Sequence, residues 1–257
     1  MILAIDIGNT NIVLGGYRDG QLEFTTRIAT DRSLQADQYA LEIAGILRLY
    51  HVESESIEGA VISSVVPSLT HSLERAVRLF APVEPVILRH DSDTGVQVCI
   101  DNPAQLGADI LASAVAVKEK WPLPAVVIDM GTATTLTALD KEGAVQGVSI
   151  MPGVFIGLDA LTGRTSLLQG IALEAPARAI GKNTADSMKS GVIFGAAAML
   201  DGMLDRFEAE LGGPATCIAT GGVAELIVPC CRHQIALCDT LLLDGLYLLY
   251  LRQKDKQ

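Results

Sequence analysis

Several absences narrow the function before any motif is considered. No apolar run in the 257 residues reaches the roughly 18 that a membrane span needs, so no partner membrane is expected. Lysine and arginine number 19 against 30 acidic residues and never cluster, and the resulting net charge of −11 argues against DNA, RNA and anionic lipid surfaces. The five cysteines (Cys99, Cys217, Cys230, Cys231, Cys238) form no CxxC pair. Their odd number fits neither a zinc site nor a disulfide framework, and they read as reduced, partly buried small apolar residues. No basic stretch precedes the apolar start Met1-Ile2-Leu3-Ala4-Ile5, which is needed as a strand, so a secretory signal is not expected and the predicted location is cytoplasmic. His51, His71, His90 and His233 are scattered and are expected at the surface or as satisfied structural groups.

A repeat is what the chain does contain. An apolar strand ends in Asp6-Ile7-Gly8, and another ends in Asp129-Met130-Gly131, 123 positions later. The match continues without a gap through Asn9-Thr10-Asn11-Ile12-Val13 and Thr132-Ala133-Thr134-Thr135 to polar turns at Arg18-Asp19-Gly20 and Lys141-Glu142-Gly143. A match of this length spans a supersecondary unit. The chemistry suits phosphate. A strand delivers the carboxylate rigidly, glycine lets backbone N–H groups approach an anion, and Asn and Thr add uncharged donors. The carboxylate would hold a cation that neutralises phosphate oxygens.

Strand and helix signals interleave around these turns. Strands are expected at 2–7, 11–17 and 21–28, a helix at 36–50, a buried strand at 57–63 and a helix after Pro67. The order then recurs, with strands near 125–129, 134–139 and 144–150, helices near 153–163 and 184–211, and a strand at 216–219. Thr220-Gly221-Gly222 follows, a strand-to-helix turn where a flat ring or a phosphate can approach the backbone. Ser63-Ser64-Val65-Val66 is its counterpart in the first half, without the glycines. Residues 165–182 read as loop with room for a short helix. A 49% hydrophobic content fills one large or two modest cores. The expected fold is α/β: two related domains, residues 1–121 and 122–257 with a boundary at Trp121-Pro122, each a mixed sheet flanked by helices, and a nucleotide in the cleft between Asp6 and Asp129.

Six motifs in order, Asp6-Ile-Gly-Asn-Thr-Asn11, Asp101-Asn-Pro-Ala-Gln-Leu-Gly-Ala-Asp109, Asp129-Met-Gly-Thr-Ala-Thr-Thr135, Ile150-Met-Pro-Gly153, Gly181-Lys-Asn-Thr184 and Thr220-Gly-Gly222, resemble the type III pantothenate kinase family. That family belongs to the superfamily of sugar kinases, acetate kinase, actin and heat-shock chaperone ATPases. The resemblance covers nearly the whole chain and implies a duplicated ribonuclease H-like fold. It also implies a homodimer and transfer of the ATP γ-phosphate to the primary hydroxyl of pantothenate, the first step of coenzyme A synthesis.

Residue roles follow from the resemblance and from local chemistry. Asp109 stands at the start of a helix expected over 107–118, where unpaired N–H groups and the helix dipole favour the ionised form; the resemblance makes it the catalytic base. ATP contacts are implied at Asp6, Ile7, Gly8, Asn9, Thr10, Asn11, Ile12, Val13, Gly131, Thr132, Gly221 and Gly222. Mg²⁺ is expected at Asp6 through water, and the resemblance implies potassium or ammonium at Asp129, where spacing alone equally allows a second carboxylate of the Mg²⁺ shell. Acceptor contacts are implied at Ile100, Gly107, Ala108, Asp109, Ile110 and Thr184, the last reaching the partner subunit's pocket; an ordinary N-cap would equally explain Thr184. The small-residue run Gly191 to Ala198 fits a subunit contact or close packing within the chain. Two positions depart from the family: Ile110 stands where an Arg is usual and Ile100 where a Tyr is usual. They leave three readings of the acceptor side: pantothenate with altered contacts, a different hydroxyl acceptor, or a nucleotide-binding homologue with little turnover and an accessory role. Lys118, Arg164 or Lys182 are basic residues that would compensate.

Overall fold

In a computed structural model, which describes residues 1–164 and 171–254, the chain forms two compact units. The first comprises residues 1–96, 101–119 and 241–257, and the second comprises 97–100 and 120–240. The sequence suggests a single cut at 121/122. The observed units interleave instead, because the last helix of the chain packs on the first sheet and a short stretch around Val98 bridges to Val145 of the second.

The first sheet is built from β1 (Ile2–Ile7), β2 (Asn11–Arg18) and β3 (Gln21–Ala29), followed by α1 (Ala36–Leu49), β4 (Gly59–Ser64), α2 (Pro67–Phe80) and a two-residue β5 (Val86–Ile87). Its strand order is β3-β2-β1-β4-β5, with β2 and β3 antiparallel and β4 and β5 parallel to their neighbours. After α3 (Ala108–Lys120), the second sheet is assembled from β6 (Ala125–Met130), β7 (Ala133–Leu139), β8 (Val145–Pro152), α4 (Val154–Gly163), α5 (Thr184–Leu211), β9 (Thr216–Thr220), the short α6 (Ala224–Ile227) and β10 (Ile235–Leu237). Read from its outer edge the order is β8-β7-β6-β9-β10, the same topology with the same strand directions. Even the irregularity in the second strand recurs, between Gly16 and Tyr17 in β2 and between Ala138 and Leu139 in β7. The two related α/β units expected from the repeat are present, in the duplicated ribonuclease H-like topology that the family resemblance implies.

Burial explains why these segments take these forms. Leu3, Ile5 and Ile7 alternate along β1 toward one face, where Tyr39, Ile43 and Leu47 of α1 and Leu69, Leu73 and Val77 of α2 cover them. The final helix, α7 (Leu241–Lys254), packs against β1, β2 and β4, so β1 reads as a continuous apolar run. Tyr17 stacks on Tyr247 at 4.5 Å between ring centroids and donates to Asp244 at 2.7 Å. In the second unit Val126, Ile128 and Leu136 meet Ile193, Ala197, Leu200 and Leu204 of α5. Of the expected loop at 165–182, residues 165–170 lie outside the described residues, and 171–182 form no regular element.

Candidate active site

The hairpin between β1 and β2 carries the first Asp-x-Gly motif. Gly8 N–H donates to Asn11 C=O at 3.0 Å, which closes the turn and leaves Asn9 and Thr10 exposed. Asp6 is half-buried one residue before the strand ends, paired with Val13 on one side and with Ser63 of β4 on the other. Ile7 and Ile12 are fully buried, so their side chains anchor the turn in the core and only their backbone faces the loop; Val13 is half-buried. A second segment braces the turn. Thr30 donates its hydroxyl to Gly8 C=O at 2.7 Å and its N–H to Thr10 C=O at 3.0 Å.

The second unit repeats the design. Asp129 is half-buried, Gly131 and Thr132 are exposed, and Asp129 pairs with Thr220 of β9 as Asp6 pairs with Ser63. Here the glycine turn closes in. Gly221 has φ +99°, and a Cβ there would lie 2.6 Å from the Met130 backbone, so only glycine permits the approach. A Cβ on Gly153 would lie 2.1 Å from Thr132 C=O. Three motifs far apart in sequence, at Asp129, Gly153 and Gly221, therefore converge within one unit, with Gly222 exposed beside them.

Asp109 occupies the first turn of α3 and is half-buried. Its carboxylate accepts from Ile110 N–H at 2.8 Å and lies over Gly107, where a Cβ would come within 2.2 Å of Oδ1. Burial raises its pKa above the ordinary carboxylate value, and the N–H groups of Ile110 and Asp109 only partly counter it. This reverses the direction expected from the helix start: desolvation outweighs the N-terminal donors. Ala108, Ile110 and Ile100 are half-buried. Lys118 donates to Gly95 C=O at 2.8 Å, which commits its ammonium to a loop.

Thr184 requires a correction. Asn183 caps α5, its Oδ1 accepting from Asp186 N–H at 2.8 Å, so Thr184 is the first helical residue and its exposed side chain is not used as a cap. It lines an open cavity of about 580 Å³ with Gly181, Lys182, Ser187 and Met188.

Three features escaped the sequence because only the fold assembles them. Ser63 Oγ and Thr134 Oγ1 are buried without a hydrogen-bond partner among the described residues, one on the strand beside Asp6 and the other beside the second turn. Arg32 donates to Asn9 Oδ1 at 3.1 Å. Asp201, nearly fully buried in α5, accepts from Arg232 N–H at 2.9 Å and from His233 N–H and Nδ1 at 3.0 Å each, while His233 Nε2 lies 3.3 Å from Asp205. This last cluster ties the loop before β10 to α5 and gives His233 the structural role expected of it. Burial pushes the Cys217 thiol up to about 11 and that of Cys231 to about 12, and Asp201 adds to the latter; these thiols behave as small apolar groups.

Residues 2–206 match the family model of type III pantothenate kinase. A type III pantothenate kinase of Thermomicrobium roseum is 39% identical over 252 residues, covering 98% of this chain and 97% of the relative. That of Moorella thermoacetica is 38% identical over 252 residues, covering 98% and 99%. Among solved structures, the (R)-2-hydroxyglutaryl-CoA dehydratase component A of Acidaminococcus fermentans superposes with a TM-score of 0.59 at 14% identity, covering 100% and 99% of the two chains. The activator of the 2-hydroxyisocaproyl-CoA dehydratase from Clostridium difficile, solved with bound ADPNP, gives 0.58 at 12% identity, covering 99% and 96%. Identities this low carry the fold alone. The full-length sequence matches carry more: this chain belongs to the type III pantothenate kinase family.

Proposed function

We propose that this chain transfers the γ-phosphoryl group of ATP to the primary hydroxyl of pantothenate. The observation that carries the reading is family membership over nearly the full chain together with both Asp-x-Gly turns in matching strand registers. The hydroxyl oxygen forms a bond to Pγ, the bond from Pγ to the ADP oxygen breaks, and the hydroxyl proton passes to the Asp109 carboxylate. Transfer of this kind passes through a loose transition state, in which positioning matters more than strong basicity. A half-buried carboxylate held by its own helix's N–H groups is suited to that task.

Asn9, Thr10 and Asn11 donate to phosphate oxygens, as does Thr132 in the second unit, and Gly221-Gly222 admits the nucleotide to the backbone. Mg²⁺ fits Asp6 because the surrounding donors are all oxygen or amide groups and Ser63 Oγ, buried on the adjacent strand, has no hydrogen-bond partner among the described residues. When bound, the ion neutralises phosphate charge. Potassium or ammonium at Asp129 fits the same hard-donor logic.

A homodimer completes the assignment, with Thr184 serving the partner subunit. It is supported by apolar side chains at Ile150, Phe155, Ile156 and Ile180, exposed by 72%, 56%, 46% and 82%. Among the described residues a Cβ at Gly191 or Gly195 would meet nothing within 4 Å, so these two exposed glycines of α5, unlike the buried Ala197, are not explained by packing among those residues. A different hydroxyl acceptor is favoured by one observation, the commitment of Lys118 to Gly95, which removes one substitute for the charge missing at Ile110. Incubation with ATP and a panel of small hydroxy acids, followed by mass spectrometry, tests the assignment. A single added phosphoryl group on pantothenate is expected, and phosphorylation of another acid in its place would overturn it.

A further inference from the structure

The first phosphate turn contains no cation of its own. Asp6, Gly8, Asn9, Thr10 and Asn11 supply one negative charge and otherwise neutral donors, yet the terminal phosphates of a nucleotide carry several negative charges, and transfer enzymes usually bring a Lys or Arg to them. The fold brings one. The segment after β3 is tied to the turn by the two Thr30 hydrogen bonds, to Gly8 and Thr10. On its other side it is tied to the core by fully buried Tyr39, whose hydroxyl accepts from Asp31 N–H at 3.1 Å and donates to Asp31 C=O at 2.7 Å. Directly after these two anchored residues stands Arg32, exposed, with its guanidinium 3.1 Å from Asn9 Oδ1.

No carboxylate among the described residues pairs with Arg32. The nearest in sequence, Asp31, is occupied by the N–H and hydroxyl of Ser33 at 2.8 and 2.7 Å. A guanidinium has five donors, and the Asn9 contact uses a single one of its nitrogens. The contact also orients Asn9: with Oδ1 accepting from Arg32, the amide NH₂ is what the turn presents outward.

We propose that Arg32 is a further phosphate-contacting residue, donating to non-bridging oxygens of the β- and γ-phosphates while it holds Asn9 as a donor. The proposal rests on the kinase reading above and adds a residue to it. Its planar fork suits phosphate oxygens as an ammonium does not.

Affinities of the full chain for AMP, ADP and a non-hydrolysable ATP analogue, measured by calorimetry for wild type, Arg32→Gln and Arg32→Lys, test it without turnover. Arg32→Gln is expected to weaken the ATP analogue by about 10- to 100-fold, ADP by less and AMP by under about twofold. Arg32→Lys should recover part of the loss, and the melting temperature should stay unchanged. An equal loss for all three nucleotides would assign Arg32 a merely structural role, and no loss for any would remove it from the site; either result overturns the proposal. If wild type binds the analogue but leaves pantothenate untouched, the kinase assignment fails while the Arg32 comparison still decides its own question. A wild-type chain that binds no nucleotide overturns both.

Discussion

Asp109 is where a single atom decides between catalysis and architecture. Asp109→Asn keeps the size and the helix-start donor-acceptor chemistry but removes the proton acceptor, so kcat should fall by about 10²- to 10⁴-fold with ATP affinity unchanged. Unchanged turnover would remove the proposed base. The raised pKa has two consequences with a definite sign. Activity should be lost on the acid side at a pH above the ordinary carboxylate value, because the base is protonated there. Stability runs the other way: the folded state holds this proton more tightly than the unfolded chain, so the group favours folding at low pH and that contribution is lost as pH rises through its folded pKa. Asp109→Asn should therefore match or exceed wild type in melting temperature at neutral pH, which calorimetry can check. The position of Asp109 was legible in the sequence as a helix-start carboxylate in a motif, but the sign of its shift was not. Burial comes from tertiary packing, and a one-dimensional reading sees only the helix end. The cap of α5 is hidden for a related reason, since Asn183 and Thr184 both have capping chemistry and only the backbone geometry chooses Asn183.

Among elements, the long strands and helices were readable because each presents a repeating apolar face. The ones that were missed have no such signal. β5 and β10 are two and three residues long, below the length at which alternation can be recognised. The α7 sequence Leu-Leu-Leu-Asp-Gly-Leu-Tyr-Leu-Leu-Tyr is apolar nearly all round, with no stripe to mark a helix. Gly245 in its middle looks like a breaker, yet a Cβ there would lie 1.9 Å from Ala112 C=O of α3. The glycine is a contact point between two helices, and Gly245→Val should destabilise the protein by more than about 2 kcal/mol, read as a lowered denaturation midpoint. The Asp201 cluster makes a parallel prediction for the link between α5 and β10. Burial opposes the Asp201 charge, but the N–H groups of Arg232 and His233 and then their side chains hold its pKa below the ordinary value. The stability it adds is present above the unfolded carboxylate range and is lost as pH falls through its depressed folded pKa. Asp201→Ala leaves the part-buried N–H groups of Arg232 and His233 without their acceptor and should cost about 1–3 kcal/mol in chemical denaturation at neutral pH. The difference from wild type should shrink in strong acid.

For the molecule as a whole, the repeat at Asp6 and Asp129 makes the duplicated topology legible, because in each copy the Asp stands near the end of a strand that pairs antiparallel with the next strand and parallel with a later one, opposite Ser63 in the first unit and Thr220 in the second. The division into units was less legible, since the return of α7 to the first sheet is a long-range event with no local sign. Neither is the acceptor specificity, which under the proposed reading turns on Ile100 and Ile110 rather than on any motif that is present. Ile110→Arg should lower KM for pantothenate if the pocket otherwise keeps the family shape; an unchanged or raised KM would mean a pocket built around the isoleucine. The central claim is tested most directly by coupled ADP release from wild type with and without pantothenate, each in potassium and in sodium. The account predicts ADP release that requires pantothenate and is faster in potassium. Release at the same rate without pantothenate, or ATP binding with no release under any of the four conditions, would contradict it.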